Sequence, residues 1–166
     1  MDNRLKLSVH QLVDFVLRTG DIDNRIFNRS SMNEGTRIHA FYQSKQGVNY
    51  LSEYLLGGTF YNSGYTIFLE GRADGIIADG AFAIIDEIKS TVVELDDYHT
   101  SQEAWHVGQA QCYALMYALE KNLDRVGVRL TYIHQSKDEK LIKNYVFSRA
   151  ELEEKVSQRT HQLADQ

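Results

Sequence analysis

The chain has 166 residues, of which 43% are hydrophobic and 25% charged, and its formal net charge is -5. This composition is typical of one globular domain over residues 1–166, and it excludes a disordered, collagen-like or coiled-coil chain. No apolar run is long enough to span a bilayer, and the start lacks the hydrophobic stretch of a signal peptide. We therefore predict a cytoplasmic protein without membrane contact.

Four capping boxes predict where helices begin. In each, a Ser or Thr and a Glu or Gln three residues later satisfy each other's backbone amides. The boxes are Ser8/Gln11, Ser31/Glu34, Thr100/Glu103 and Ser148/Glu151. The first predicts an amphipathic helix over residues 9–19, and the second predicts a helix from about residue 32 to residue 46.

The sequence changes to the period of strands between residues 48 and 90, where three strands are predicted. Their turns are predicted at Gly57-Gly58, Asn62-Ser63-Gly64 and Asp79-Gly80. The last of these dipeptides is preferred in two-residue hairpin turns, because both central positions need a positive φ. A hairpin is therefore expected around residues 79 and 80.

That hairpin turn fixes which charged residues face each other. It places Arg72 opposite Glu87 and Glu70 opposite Lys89, if the pairing runs on from Ala78 facing Ala81. Strand alternation then puts these four side chains on one face of the sheet, together with Asp74. The charges are predicted to converge.

The third box predicts a long helix from Thr100 to about Asn122, which is apolar on most sides and therefore buried. Two strands follow over residues 126–132 and 141–147, and the fourth box begins a polar terminal helix. The run from Glu94 to His99 is predicted to be a solvated loop. The predicted order of elements is ααβββαββα.

Two interpretations fit the charged hairpin. Cross-strand ion pairs on a solvated sheet face explain it without any function. However, both faces of the hairpin also carry isoleucines, and a sheet that is apolar on both faces is usually covered on both. Asp74, Glu87 and Lys89 would then lie in a cleft, where charges removed from water need a partner or a metal.

Polar residues on two predicted helices are candidates for the same cleft. His39 on the second helix can be an ordinary helix histidine, but Gly35 on that helix indicates close approach to another element. Gln109 and Tyr113 are four residues apart on the third helix and so share one face. They can be a buried amide and phenol with local hydrogen bonds, yet two polar groups on an apolar helix indicate something polar opposite them. Four further histidines belong to no group that the pattern defines: His10, His106, His134 and His161. Of these, His106 lies about one helical turn before Gln109 and is a candidate to line the same cleft.

This set of residue types favours a metal-dependent nuclease. Carboxylates and an imidazole can hold a divalent metal, and a neighbouring ammonium group can place a water for attack on a phosphodiester. An amide and a phenol can hold the ammonium group and a phosphate oxygen.

At these residues the chain resembles the PD-(D/E)XK nuclease superfamily and, within it, the RecB-like branch. Four stretches carry the resemblance in the family's order: Gly35-Thr36-Arg37-Ile38-His39, Gly71-Arg72-Ala73-Asp74, Glu87-Ile88-Lys89 as the (D/E)xK triplet, and Gln109-Ala110-Gln111-Cys112-Tyr113 as the QxxxY helix. Ala73 stands where the superfamily name has proline, which removes no ligand. The resemblance implies an α/β fold with a restriction-endonuclease-like core, in which helices flank a mixed central β-sheet on both faces.

The resemblance also implies a cofactor and ligands. The cofactor would be magnesium or manganese, held by His39, Asp74 and Glu87 with the carbonyl of Ile88 as a further ligand. No iron-sulfur cluster of the kind found in several RecB-like nucleases is expected, because Cys112 is the only cysteine.

Roles in catalysis follow from the same resemblance. Lys89 would position or deprotonate the attacking water and stabilise the charge that develops on the phosphorane. Gln109 and Tyr113 would hold the lysine and the scissile phosphate. Glu70 and Arg72 would support these groups from behind.

Two stretches, residues 9–21 and 70–77, look like the nuclease domains at the N-terminus of DinG-type DNA helicases. This resemblance implies an exonuclease on single-stranded DNA in repair or recombination, with a helicase domain in the same full-length chain. The net charge of -5 is unusual for such an enzyme, and DNA binding by that further domain would account for it. Two alternatives stay open: a non-catalytic nuclease-like module that binds DNA or a helicase, and a hydrolase acting on RNA or another phosphodiester.

Overall fold

The structure is a computed structural model that describes residues 3–17, 29–62, 64–80 and 82–164, with only the backbone for residues 29–33. Its elements in chain order are β1 (Arg4–Ser8), α1 (Val9–Leu17), α2 (Arg29–Ser44), β2 (Tyr50–Asn62), β3 (Tyr65–Asp79), β4 (Phe82–Thr91), α3 (Leu95–Lys121), β5 (Arg125–His134), β6 (Lys140–Ser148) and α4 (Arg149–Ala164).

The strands form one mixed six-stranded sheet in the order β1-β3-β4-β5-β6, with β2 also paired to β3. β2 runs antiparallel to β3 along nearly all of its length. The opposite edge of β3 changes partner: residues 66–70 pair with the parallel strand β1, and residues 75–79 pair with the antiparallel strand β4. Residues 71–74 therefore face a gap between β1 and β4.

Helices cover both faces of the sheet. α1, α3 and α4 supply Val13, Leu115 and Leu152 to a buried core on one face. α2 packs on the other face, where a Cβ on Gly35 would lie 2.9 Å from Ser90 Oγ. This close approach agrees with the presence of a glycine in α2. The predicted α/β fold with a restriction-endonuclease-like core is confirmed, and no helix of the described residues combines the length and apolar content needed to cross a bilayer.

The boundaries of several elements differ from the prediction. Strand β1 was not predicted, because five residues next to a strong capping box carry little periodic signal. Gly57-Gly58 is not a turn but lies inside β2, where Gly58 makes room for Met116 of α3. The run from Glu94 to His99 is not a solvated loop, since α3 begins at Leu95 and His99 is buried.

Two of the four capping boxes form as predicted. Ser8 and Gln11 exchange backbone-to-side-chain hydrogen bonds of 2.9 and 3.0 Å. Ser148 and Glu151 exchange the corresponding bonds at 3.3 and 3.1 Å. The Thr100 box is wrong because Thr100 lies inside α3. The Ser31 box involves a side chain outside the described ones, and α2 begins at Arg29. Residues 18 and 19 of the first predicted helix are also outside the described residues.

Candidate active site

The charged hairpin pairs differently from the prediction. Asp79 lies opposite Phe82, so the connection is Gly80-Ala81, one residue later than predicted, with Ala81 outside the described residues. The ladder ends at the pair Gly75 and Asp86, which brings Asp74 next to Glu87. The predicted pairs of Arg72 with Glu87 and of Glu70 with Lys89 are therefore wrong.

A kink at Asp74 reverses the faces of β3. Gly71 packs against Tyr113 of α3, whereas Gly75 packs against Tyr50 on the opposite face, although two odd-numbered residues of a regular strand share a face. The residue across from Asp74 on β2 is Glu53, whose φ of 53° is in the left-handed region. Strand alternation cannot be applied through this point.

The kink separates the hairpin charges that were predicted to converge. Arg72 is exposed, and Glu70 pairs with Lys6 at 3.5 Å, so both lie away from α3. Asp74 turns its side chain toward β4, where its Oδ2 accepts a hydrogen bond of 2.8 Å from the backbone N–H of Ile88. The roles predicted for Glu70 and Arg72 as supporting residues stay predictions.

A chain of polar contacts runs from β4 to α3. Lys89 Nζ lies 3.2 Å from Glu87 Oε2 and donates a hydrogen bond of 2.8 Å to Gln109 Oε1. The Lys89 side chain is 17% exposed and that of Glu87 4%, so this pair is largely removed from water. The structure thus brings Asp74, Glu87, Lys89 and Gln109 together at the gap in the sheet.

The ionisable groups of this gap perturb one another strongly. Burial raises the pKa of Asp74 well above its usual value of 3.8, and the charge of Glu87 adds to that rise. Burial also raises the pKa of Glu87, against the opposing effect of Lys89. Burial disfavours the charge of Lys89, but Glu87 and Asp74 outweigh it and the Lys89 pKa rises. Shifts of this kind on groups in a cleft are typical of functional sites.

Tyr113 closes the gap from the side of α3. Its ring lies against Gly71, where an added Cβ would come within 2.9 Å of the ring and of the hydroxyl oxygen. Burial, followed by the charges of Glu87 and Asp74, raises the pKa of Tyr113. Its phenol therefore keeps its proton at neutral pH and remains a hydrogen-bond donor.

Replacing Gly71 by alanine tests this close packing. We expect Gly71→Ala to lower the free energy of unfolding by about 1–3 kcal/mol, because the methyl group overlaps the Tyr113 ring. Denaturant titration measures the change. Gly47→Ala is the control, since a Cβ there meets no atom within 4 Å. Equal stabilities of the two variants would contradict the packing.

His39 lies on α2, and its side chain is half-buried. Burial lowers the pKa of its imidazole, and the charge of Lys89 lowers it further, whereas Glu53 and Asp86 act in the opposite direction. A neutral imidazole has a lone pair on one ring nitrogen and can act as a metal ligand.

Glu53 is an acidic group at this site that the sequence did not indicate. Its charge adds to the rise of the pKa of Asp74 and of Glu87. Gln43, one helical turn after His39, donates Nε2 both to Glu53 Oε1 at 3.0 Å and to the carbonyl oxygen of Asp74 at 2.8 Å. Gln43 therefore links α2 by hydrogen bonds to both β2 and β3 at this point. No periodic signal marks Glu53, because its position depends on one left-handed residue.

A second polar group that was not predicted lies behind the gap. Asp86 is fully buried, and its carboxylate accepts hydrogen bonds from Tyr50 at 2.7 Å, from Thr131 at 2.6 Å and from Arg129 at 3.0 and 3.2 Å. The network fixes β4 against β2 and β5, because each donor comes from one of those strands. Asp86 thereby holds the strand that carries Glu87 and Lys89.

Two histidines that belonged to no predicted group border the site. His10 Nδ1 is 2.9 Å from Gln109 Nε2. His106 Nδ1 is 2.9 Å from the hydroxyl oxygen of Tyr132, and burial and then the charge of Lys89 lower its pKa well below 6.5. The sequence separates His10 from Gln109 by most of the chain, so no local pattern could join them.

The residues that could hold a metal are not in one coordination shell. Within the part of the chain that the structure describes, no three His, Cys, Asp or Glu side chains are arranged around a common ion position. Asp74 is turned to the amide of Ile88, and Glu87 is turned to Lys89. The chemistry of the group nevertheless suits a divalent cation, because two buried carboxylates repel each other beside an imidazole whose pKa is lowered.

Burial of Asp74, to which repulsion by Glu87 adds, predicts that the Asp74 carboxylate destabilises the metal-free fold at neutral pH. Its pKa is raised by folding, so the folded state holds a proton that the unfolded state has lost, and stability falls as the pH rises from about 3.8 through the raised value. We expect Asp74→Asn to raise the metal-free unfolding midpoint by ~2–4 °C at pH 7, equivalent to about 1 kcal/mol. Thermal unfolding with a chelator measures it, and a lower midpoint for the variant would contradict the prediction.

No protein-family model and no curated protein matches the chain. Among solved structures, the crystal structure of SSO0001 matches with a TM-score of 0.57 and 19% identity, over 96% of this chain and 76% of that chain. The crystal structure of a phage-related exonuclease from Haemophilus somnus 129PT matches with a TM-score of 0.42 and 13% identity, over 95% of this chain and 81% of that chain. At 19% identity the first likeness concerns the fold alone, and nothing about this chain follows from the second.

Proposed function

We propose that this chain is a divalent-metal-dependent nuclease that hydrolyses phosphodiester bonds of DNA. The observation that carries the proposal is the group of Asp74, Glu87 and Lys89, of which Glu87 is buried and the other two are half-buried. The two carboxylates have raised pKa values, and the lysine is held by Gln109. A domain keeps repelling carboxylates out of water only at a cost in stability. A bound cation removes that repulsion.

Asp74, Glu87 and His39 would hold magnesium or manganese, and the carbonyl of Ile88 is a further candidate ligand. When bound, the cation supplies positive charge for the phosphate oxygens and lowers the pKa of a coordinated water. Among the described residues no three such side chains surround one ion position, so a cation held by all three would require at least one of them to turn.

Lys89 would act on the reacting groups. Its ammonium group can donate a hydrogen bond to the attacking water and stabilise negative charge as it develops on the phosphate. Its raised pKa keeps Lys89 protonated at neutral pH. In this form it can position the water and stabilise negative charge, but it cannot accept a proton as a general base. Tyr113 keeps its proton and can donate to a phosphate oxygen, while Gln109 fixes the lysine.

We extend the proposal to an exonuclease that acts on single-stranded DNA in repair or recombination, with a helicase domain in the same full-length chain. The resemblance of residues 9–21 and 70–77 to the nuclease domains of DinG-type helicases supports this assignment. The net charge of -5 is unusual for a nuclease, and DNA binding by that further domain would account for it.

A second candidate is a non-catalytic nuclease-like module that binds DNA or a helicase. The net charge of -5 favours it, because DNA-binding domains commonly neutralise phosphates with a basic surface. The two candidates differ in metal binding, since a degenerate module needs no cation at Asp74 and Glu87.

Cleavage assays with matched substrates test the proposal. We expect Mn²⁺ or Mg²⁺ to support cleavage of single-stranded DNA, and a chelator to abolish it. Duplex DNA and single-stranded RNA of the same sequence test the substrate. Calorimetric titration with Mn²⁺ should show binding that Asp74→Asn removes. Absence of both cleavage and Mn²⁺ binding would support the non-catalytic module.

A further inference from the structure

We infer that His10 is a positioning residue that fixes the amide of Gln109 and, through it, the ammonium group of Lys89. The catalytic part of this inference rests on the proposed function, and the structural part does not. The contacts form one continuous line: His10 Nδ1 to Gln109 Nε2 at 2.9 Å, Gln109 Oε1 to Lys89 Nζ at 2.8 Å, and Lys89 Nζ to Glu87 Oε2 at 3.2 Å.

The chemistry of each group sets the direction of these hydrogen bonds. Lys89 can only donate, so it must meet the carbonyl oxygen of the Gln109 amide. The amide nitrogen then points to His10 and can only donate, so His10 Nδ1 must accept and carry no proton. If His10 could not accept, the Gln109 amide could turn over and direct its N–H groups at the ammonium group of Lys89.

The backbone around His10 is rigid enough for this role. His10 lies in the first turn of α1, which is capped by Ser8 and Gln11 and anchored by the buried Val9 and Val13. α1 meets α3 closely, since a Cβ on Gly108 would lie 3.3 Å from Val13.

A hydrogen bond between the same two helices adds to this contact. Trp105 Nε1 donates to Asp14 Oδ1 at 2.8 Å. Together with the Gly108 contact, it holds the first turn of α1 opposite Gln109. Side chains on packed helices hold their neighbours more exactly than side chains on loops.

The place of α1 in the fold explains why a residue so early in the chain reaches the site. β1 pairs with β3 up to Ser8 and Glu70, and α1 begins at the next residue. The first turn of α1 therefore lies at the gap between β1 and β4, beside residues 71–74 of β3.

Two substitutions of His10 by residues of similar shape distinguish the loss of the hydrogen-bond acceptor from the loss of side-chain packing. Asn places Oδ1 and Leu places a methyl group about where His places Nδ1, and only Asn can accept the bond from Gln109. We expect His10→Leu to lower kcat for DNA cleavage about tenfold, and His10→Asn to restore most of that loss. KM and the affinity for Mn²⁺ should stay unchanged, because the proposed metal ligands are untouched.

The matched control is His161→Leu. His161 lies on α4, and its Nδ1 is 3.2 Å from Oδ1 of Asn62 on β2. This control variant should leave kcat unchanged. Equal kcat values for His10→Leu and the unmodified protein would overturn the inference, and so would an equal loss in His10→Leu and His10→Asn. If His10→Leu does not fold, His10→Ala takes its place as the variant without an acceptor.

NMR spectra of the Gln109 side-chain amide test the inference independently of catalysis. In ¹H–¹⁵N spectra, the side-chain amide signals of Gln109 should shift in His10→Leu and stay near their original positions in His10→Asn. If the unmodified protein cleaves no DNA, the proposed function fails, and these spectra alone decide whether His10 orients Gln109. Gln109 signals that do not move in His10→Leu would overturn the inference.

Discussion

Glu87→Gln and Lys89→Met should each lower the rate of DNA cleavage by roughly 10³-fold, since each removes a charge from the reacting centre. Glu87→Gln keeps the size of the side chain but removes a carboxylate that would hold the cation. Lys89→Met keeps an unbranched side chain that is one atom shorter but removes the ammonium group that Gln109 and Glu87 hold. Steady-state cleavage of single-stranded DNA with Mn²⁺ measures both effects.

The control for these variants is Glu70→Gln. Glu70 belongs to the same hairpin, but it pairs with Lys6 away from α3. We expect its activity to stay within about twofold of the unmodified protein, in line with the small effects of most surface substitutions. Loss of activity in Glu70→Gln equal to that in Glu87→Gln would contradict the face reversal at Asp74.

The largest loss of stability is expected for Asp86→Leu. Asp86 is fully buried and accepts hydrogen bonds from three neighbouring side chains, one of which is the charged Arg129. Removing it leaves a guanidinium group that is 19% exposed without its carboxylate. Breaking a buried pair in this way costs about 3–5 kcal/mol, a large share of a typical free energy of unfolding. Denaturant titration of the metal-free protein measures it.

A double variant separates the ion pair from the rest of this network. Asp86→Leu combined with Arg129→Met removes both charges, so the unpaired buried charge disappears. We expect the double variant to be more stable than Asp86→Leu alone by about 1 kcal/mol or more. Destabilisations that simply add would show that Arg129 and Asp86 do not depend on each other.

The sequence predicts the fold well where the signals are local. Periodicity and turn residues identify α3, the hairpin and the last two strands, because each is long or strongly patterned. Sequence patterns give the wrong secondary structure where a contact between distant parts of the chain determines it. Gly57 and Gly58 resemble a turn, yet they extend β2 because that strand pairs with β3. Strand β1 exists because it pairs with β3, and its five residues give too little pattern to show it.

The same distinction applies to the candidate site. Asp74, Glu87, Lys89 and Gln109 were predicted from motifs, and the structure brings them together. Alternation put Asp74 on the right side of the sheet only by chance, because the kink opposite Glu53 reverses the faces of β3.

The supporting residues could not be predicted because they act across the chain. His10 and Gln109 are joined only when α1 packs on α3, and Asp86 finds its donors on β2 and β5. Sequence motifs indicate candidate site residues, whereas the residues that hold them in place are identified only from tertiary packing.

The most direct test of the proposed site is a crystal structure of the protein soaked in Mn²⁺, with anomalous scattering used to locate the ion. We expect one Mn²⁺ at the gap between β1 and β4, bound by Asp74, Glu87 and His39 at about 2.0–2.3 Å, with Lys89 still held by Gln109. Manganese at another place, or no ion near Asp74 and Glu87 at saturating concentration, would contradict the account.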